Sequence, residues 1–101
     1  MVQERLAIVV IVVNNGMLGT IRMHQERHYP GRTIATDLKN PDFVALARAY
    51  GAHAALVERT ADFAPAFEAA LAAGRPALLE LRVDPERITP SQTLSAIRSR
   101  R

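Results

Sequence analysis

Two consecutive carboxamides followed by a glycine are the residues best suited to chemistry in this chain. The segment Asn14-Asn15-Gly16-Met17-Leu18-Gly19 offers neutral side-chain oxygens, and a glycine lets backbone amides and carbonyls approach a ligand closely. Such oxygens suit a hard cation such as Mg2+, which also keeps water and phosphate oxygens in its shell. The same residues are typical of an ordinary turn, because Asn and Gly tolerate left-handed backbone conformations. Composition alone leaves both interpretations open.

Other candidate ligands and catalytic groups are less well placed. His24 and His28 lie four residues apart and would share one helix face, but the sequence places no third ligand for zinc beside them. A solvated helix face, or the rim of an active site, is the favoured interpretation. The carboxylates form no predicted acid–base pair, and we assign no catalytic residue. Glu80, on the last predicted strand, needs a partner if that strand is central, and Arg82 shares its face.

The carboxamide pair directly follows a strongly predicted strand. Residues 6–13 form a continuous apolar run in which six of eight residues are β-branched, a composition that favours a strand over a helix. Because apolar and polar residues do not alternate, we expect both faces of this strand to be buried, as in a parallel sheet. Ligands in open α/β sheets bind beyond the carboxyl ends of the strands, which is where this pair would lie.

The remaining elements alternate along the chain. Strands are predicted over residues 52–58 and 77–83, and helices over residues 18–29, 41–50, from 60 or 62 to 74, and after 89–91. Asn40 is the predicted cap of the second helix, with Pro41 at its first position, and Thr89-Pro90-Ser91 is the predicted cap of the last. This alternation predicts a parallel sheet with right-handed crossovers.

Helical spacing also predicts which aromatic residues form the core. These are Phe43, Tyr50, Phe63 and Phe67.

Charge and composition exclude several classes of protein. The net charge is +3, and three of the 12 arginines, Arg98, Arg100 and Arg101, lie in the last four residues. We expect that end to be frayed and solvated. Without these three arginines the rest of the chain is close to neutral, which argues against a row of basic residues that binds nucleic acid. The apolar run is too short to cross a membrane, and no cleavage site follows it. Together with the absence of cysteine, this predicts a cytoplasmic protein.

Residues 11–27 carry a resemblance to a known family. Ile-Val-Val-Asn-Asn-Gly-Met-Leu-Gly-Thr-Ile-Arg-Met-His-Gln-Glu-Arg resembles the last part of the diphosphate-binding domain of thiamine-diphosphate-dependent enzymes, in the acetolactate synthase-like branch. The similarity continues through residues 40–47, 73–80 and 83–85, and covers roughly residues 8–97. It implies a strand order in which the third strand lies between the first two, so that residues 6–13 form an edge.

The resemblance also implies a ligand set. Asn15 would give its side-chain oxygen to Mg2+ and Met17 its backbone carbonyl, which agrees with the oxygen preference of this ion. The residues that would shape the loop near the diphosphate and thiazolium are Asn14, Gly16, Leu18 and Gly19. The residues that would face the substrate are Thr20, Met23 and His24.

Differences from the family pattern limit the activities that we expect of this chain by itself. The family's Gly-Asp-Gly motif, which provides an anionic ligand, does not occur in these residues. The family's catalytic glutamate belongs to a separate pyrimidine-binding domain. His24 stands where acetolactate synthases typically carry Trp, and Thr20 where Met is common. Acetolactate formation, another carboligation and 2-oxoacid decarboxylation therefore all remain open.

We therefore expect an α/β fold. Residues 1–101 would form the C-terminal portion of a doubly wound thiamine-diphosphate-binding domain, a three-layer sandwich fragment whose parallel sheet of about three strands is flanked by helices. Its function would be to bind thiamine diphosphate and Mg2+ in a homo-oligomeric enzyme acting on a 2-oxoacid, with no nucleic-acid or membrane partner and no activity as an isolated fragment. The alternative is a free-standing, non-catalytic module that assembles through its sheet edge.

Overall fold

The computed structural model describes residues 1–100 and gives an alternation of strands and helices close to the predicted one. In chain order the elements are β1 (Val9–Asn14), α1 (Gly19–His28), α2 (Phe43–Ala49), β2 (His53–Val57), α3 (Phe63–Ala72), β3 (Ala77–Arg82) and α4 (Leu94–Ser99). A single 3-10 turn, Thr60–Asp62, precedes α3. None of the helices in this described range is long and apolar enough to cross a bilayer.

The chain divides into two compact units by its internal contacts. The first unit consists of Met1–Asn14 and Asn40–Arg82, and the second of Asn15–Lys39 together with the chain from Val83 onward. All three strands, α2 and α3 therefore lie in the first unit, whereas α1 and α4 lie in the second.

The sheet of the first unit is parallel and has the order β1-β3-β2. Val9 of β1 and His53 of β2 both lie level with Ala77 of β3, and Asn14 lies level with Arg82. The predicted position of the third strand between the other two is confirmed. The parallel sheet flanked by helices also confirms the predicted fold class.

The core of this unit lies where α3 packs on β3. Leu79 is fully buried at 0% exposure and packs with Ala70 and Ala77. Phe63 and Phe67 stack with ring centroids 5.7 Å apart and pack against this cluster, as their spacing predicts.

β1 is an edge strand whose outer positions are not covered. Its composition predicts burial on both faces, but Ile11 is 43% exposed and Val13 is 64% exposed. These two residues alternate with the half-buried Val10 and Val12, so they share one face of the strand, and the described residues cover that face only in part.

Two predictions for α2 are wrong. Asp42, not Asn40, caps the helix, because its Oδ1 accepts a hydrogen bond from the Ala45 amide at 3.0 Å. The Asn40 side chain is engaged elsewhere, as described below. Tyr50 is 69% exposed rather than in the core, because α2 ends at Ala49 and the chain turns away at Gly51, whose φ is +84°.

The cap of α4 also differs from the prediction. Thr93 caps the helix, its Oγ1 accepting from the Ala96 amide at 3.1 Å. Thr89 lies in the preceding loop, where its Oγ1 accepts from the Gln92 amide at 2.9 Å. The predicted apolar residues of this helix, Leu94 and Ile97, are both buried at 3% exposure.

Candidate functional site

The first carboxamide of the pair is bound into the first unit. Nδ2 of Asn14 donates to Oε2 of Glu80 at 3.1 Å, and Oδ1 of Asn14 accepts from Nδ2 of Asn40 at 2.9 Å. Glu80 is 2% exposed and also accepts from Nε of Arg82 at 3.2 Å, which confirms the predicted partner of this buried carboxylate. Both ends of the Asn14 carboxamide are therefore engaged at the carboxyl end of the sheet.

The second carboxamide begins a loop that pairs with a neighbouring segment of the second unit. Met17 lies opposite Asp37 in an antiparallel bridge. The bridging hydrogen bonds run from the Leu18 amide to the Thr36 carbonyl at 2.8 Å and from the Leu38 amide to the Gly16 carbonyl at 2.9 Å. Because the flanking residues make these bonds, the N–H and C=O of Met17 itself point away from Asp37.

Asn15 and Met17 place two neutral oxygens on that outward side of the loop. The Met17 amide donates to Oδ1 of Asn15 at 3.2 Å, and in an extended residue the carbonyl points to the same side as the amide. An amide oxygen has two lone pairs, so Oδ1 of Asn15 retains one beyond this hydrogen bond. A side-chain oxygen and a backbone carbonyl fit the preference of Mg2+ for oxygen ligands.

Gly19 is the residue that makes room for Asn15. It is the first residue of α1, and a Cβ built there would lie 2.7 Å from Nδ2 of Asn15 and 3.0 Å from Cδ1 of Ile88. The shorter distance is below any normal contact, so the Asn15 carboxamide lies in a space that only glycine leaves empty.

The three residues expected to face the substrate lie on the first two turns of α1. Thr20, Met23 and His24 share one helix face by their spacing; the first and last are exposed, and Met23 is half-buried. His24 stacks on His28 with ring centroids 6.2 Å apart. Within residues 1–100, no group of three or more His, Cys, Asp or Glu side chains is placed to hold a metal ion.

The sequence did not predict an ion pair in the second unit that joins a buried carboxylate to a partly exposed guanidinium. Glu26 of α1 is 1% exposed, and its two carboxylate oxygens accept from Nε and Nη2 of Arg98 at 2.7 and 3.1 Å. The Gly31 amide donates to the same carboxylate at 3.1 Å. The predicted frayed end is wrong for Arg98, which lies on α4 and binds this carboxylate, although its side chain is still 43% exposed. Arg101 lies outside the described residues.

This pairing keeps Glu26 ionised. The hydrogen bond from Arg98 lowers the pKa of Glu26 against the opposing effect of burial, and the Gly31 amide and the charges of Arg98 and Arg22 lower it further. The same hydrogen bond raises the pKa of Arg98. No local pattern in the sequence indicates this pair, because the partner of Glu26 lies 72 residues away.

Comparison with known proteins places these features in a family. The family model described as "Thiamine pyrophosphate enzyme, C-terminal TPP binding domain" matches residues 1–81. A probable acetolactate synthase of Mycobacterium bovis is 30% identical over 93 residues, which are 92% of this chain and 17% of that protein. An acetolactate synthase of Arthrospira platensis is 35% identical over 83 residues, 80% of this chain and 14% of that protein.

A solved structure shows the same fold. The thiamine diphosphate-dependent 4-hydroxybenzoylformate decarboxylase of Rhodococcus jostii RHA1 matches with a TM-score of 0.73 and 37% identity, over 82% of this chain and 16% of that one. This chain thus spans less than a fifth of the length of each of these relatives. With most of its residues matched by the family model, the chain belongs to the C-terminal TPP-binding domain family of the thiamine pyrophosphate enzymes.

Proposed function

We propose that this chain supplies the Mg2+- and diphosphate-binding loop of a thiamine diphosphate site in an acetolactate synthase-like 2-oxoacid carboligase or decarboxylase. The observation that carries the proposal is the pair of neutral oxygens of Asn15 and Met17, held on one side of a hydrogen-bonded loop. Thiamine diphosphate, when bound, supplies the carbon that attacks the carbonyl group of a 2-oxoacid.

Each residue of the loop has a distinct task in this proposal. Asn15 and Met17 hold the cation, and their neutrality leaves the diphosphate oxygens to balance its charge. Asn14 is not a ligand of the cation, because its carboxamide is hydrogen-bonded to Glu80 and Asn40. These contacts fix the end of β1.

The other loop residues shape the site and its substrate side. Gly16, at a φ of +72°, turns the chain between the two ligands, and Gly19 leaves space for the Asn15 carboxamide. Leu18 lies beside the diphosphate, while the exposed side of α1, with Thr20, Met23 and His24, faces the 2-oxoacid.

The chain by itself should bind weakly and not turn over. The resemblance implies an anionic third ligand from a Gly-Asp-Gly motif that is not among these 101 residues. It also implies a catalytic glutamate from another domain. The 2-oxoacid substrate and the homo-oligomeric assembly are therefore properties that we propose for a whole enzyme of which this loop is one part.

Weak binding is best tested by NMR on the isotopically labelled full chain. Mn2+, a paramagnetic stand-in for Mg2+ that also prefers oxygen ligands, is added with thiamine diphosphate. We expect selective broadening of the amide signals of residues 15–18. Asn15→Ala should abolish this broadening, whereas the matched variant Met17→Leu should preserve it, because it leaves the backbone carbonyl in place.

Three results would contradict the proposal. The first is the absence of any broadening in wild type, and the second is equal broadening in wild type and Asn15→Ala. The third is broadening centred on His24 and His28, which would show that the cation prefers the imidazole pair.

The second candidate function, assembly through the sheet edge, is favoured by the backbone of β1. The Ala77 amide donates to the Ile8 carbonyl at 2.9 Å, and alternate residues of a parallel strand bond to the same neighbour. In the described sheet, the N–H and C=O groups of Val9, Ile11 and Val13 therefore point to the outer edge, where another strand could pair.

Light scattering on the full chain tests this candidate. If two copies pair through β1, the double variant Ile11→Lys/Val13→Lys should lower the measured mass to that of a monomer. Leu71→Lys, at a site on α3 that is 60% exposed, is the control and should leave the mass unchanged. A monomeric wild type at its highest soluble concentration rules this candidate out.

A further inference from the structure

The C-terminal segment of the chain contacts both ends of α1, the helix that follows the proposed cation loop. Near the end of the helix, Arg98 of α4 makes two charge-assisted hydrogen bonds to the buried carboxylate of Glu26, a geometry that fixes direction as well as distance. At the start of the helix, Ile88 is a close neighbour of Gly19, because a Cβ added to that glycine would lie 3.0 Å from Cδ1 of Ile88. The C-terminal segment is therefore next to both ends of α1, and its polar contact is the one with Glu26.

Arg22 extends the contact from Glu26 towards the loop. Its Nε lies 3.8 Å from Oε1 of Glu26, one helical turn away, and its Nη1 donates to Oδ1 of Asp37 at 3.0 Å. Asp37 is the residue that lies opposite Met17. The Arg22 guanidinium thus lies between the buried carboxylate and the segment that pairs with the loop.

The contact between Arg22 and Asp37 depends on Glu26. The side chain of Asp37 is 89% exposed, and an exposed ion pair contributes little by itself. Arg22 has only 20% of its side chain exposed, and its Nε is buried without a hydrogen-bond partner in the described residues. The carboxylate of Glu26 attracts this Nε across 3.8 Å, and Arg98 is hydrogen-bonded to the same carboxylate.

We infer that Arg98 is a positioning residue for the loop that carries Asn15 and Met17, acting through Glu26 and Arg22. Arg98 itself lies outside residues 1–81, which are the part of the chain that the family model matches. The inference rests on the proposed function, since the loop matters only if it holds the cation and cofactor.

Hydrogen exchange on the ligand-free full chain tests the positioning step without cofactor. In Arg98→Gln, we expect the Leu18 and Leu38 amides, which bridge the loop to its neighbour, to exchange several-fold faster than in wild type. The amides of β3, in the other unit, should be unchanged. Arg100→Gln removes the same charge two residues further on and should leave all of these rates as they are.

Titration with Mn2+ and thiamine diphosphate then tests the consequence for binding. Arg98→Gln should need a several-fold higher concentration for half-maximal broadening of the Met17 amide. Arg98→Lys should fall between this variant and wild type, because a lysine keeps the charge but not the two-point geometry. If Arg98→Gln does not fold, Glu26→Gln/Arg98→Gln removes the buried charge together with its partner and is measured instead.

The outcomes separate this inference from the proposed function. Faster exchange at Leu18 and Leu38 with weaker binding supports it. Unchanged exchange in Arg98→Gln overturns it, and so does faster exchange with binding equal to that of wild type. Wild type that shows no broadening at all overturns the proposed function and this inference with it, while the exchange rates still report whether Arg98 orders the loop.

Discussion

Two adjacent asparagines in this chain have different environments, and their neighbours decide which one can meet a ligand. Asn14 has both ends of its carboxamide engaged, by the buried Glu80 and by Asn40. Oδ1 of Asn15 accepts a short-range hydrogen bond from the Met17 amide, and this oxygen has a second lone pair. Identical side chains thus differ in which of their atoms are already bonded, because the fold gives them different partners.

Gly19→Ala tests whether the space beside Asn15 matters. The added Cβ would lie 2.7 Å from Nδ2 of Asn15, so the carboxamide must move. We expect loss of Mn2+–thiamine diphosphate broadening at Met17. The free energy of unfolding should change by less than about 1 kcal/mol, because alanine's better helix propensity offsets part of the strain.

A double variant provides the control for that prediction. Asn15→Ala/Gly19→Ala removes the clash with the Asn15 carboxamide and leaves only the longer approach to Ile88, so its stability in urea denaturation should be close to that of Asn15→Ala alone. Binding by Gly19→Ala equal to that of wild type would show that the carboxamide does not need this space.

Glu80→Gln tests the buried carboxylate at the end of the sheet. Both Asn14 and Arg82 donate to the same carboxylate oxygen, and a neutral amide is a weaker acceptor for the guanidinium. We expect a loss of about 1–3 kcal/mol in the free energy of unfolding, measured in urea. Glu68→Gln, at an exposed site on α3, should stay within about 0.5 kcal/mol of wild type. Equal effects of the two substitutions would show that the contacts of Glu80 add no more to the free energy of unfolding than an exposed carboxylate does.

At the scale of the elements, local patterns predict more than long-range partners do. The strands were predictable because β-branched runs bounded by turn residues favour strands, and the helices because of apolar spacing and glycine stops. The cap of α2 was mispredicted because Asn40 and Asp42 are both good caps, and only the contact of Asn40 with Asn14 decides between them.

The assignment of ligand residues in the candidate site stays a prediction, and the contacts around those residues were only partly predictable from the sequence. The resemblance pointed to Asn15 and Met17, and the spacing of Glu80 and Arg82 on one strand pointed to their ion pair. The pairing of Arg98 with Glu26 joins residues 72 positions apart. No local pattern carries such information, because the contact exists only once α1 and α4 pack together.

The α1–α4 contact should make stability depend on pH. The pKa of Glu26 is lowered in the folded chain, so its contribution is fully present above the unfolded-state pKa of about 4.3. It is lost as the pH falls through the lower folded-state pKa. In urea denaturation, wild type should therefore be more stable than Glu26→Gln at pH 7, with the difference shrinking below pH 4. A difference that stays constant down to pH 3 would contradict this assignment.

At the scale of the whole molecule, binding of a ligand to the folded chain alone should raise its melting temperature. A ligand present at about ten times its Kd stabilises the folded state by about 1.4 kcal/mol, which is several degrees for a chain of this length. We expect Mg2+ with thiamine diphosphate to raise the melting temperature and EDTA to reverse the effect. Asn15→Ala should show no such shift. A shift equal to that of wild type would show that the cation and cofactor bind without the Asn15 side chain.

The order of the strands also sets the time at which the first unit can be completed during synthesis. β1 leaves the ribosome first, yet its partner in the sheet is β3, and Asn14 and Glu80 are 66 residues apart. At about 5–20 residues per second, the nascent strand waits several seconds for that partner. Within the described sheet, β2 pairs with β3 and so cannot take the place of that partner in the meantime. Among these three strands, pairing must therefore come late and spread outward from the middle strand, so that the inner edge of β1 has no partner until β3 is made.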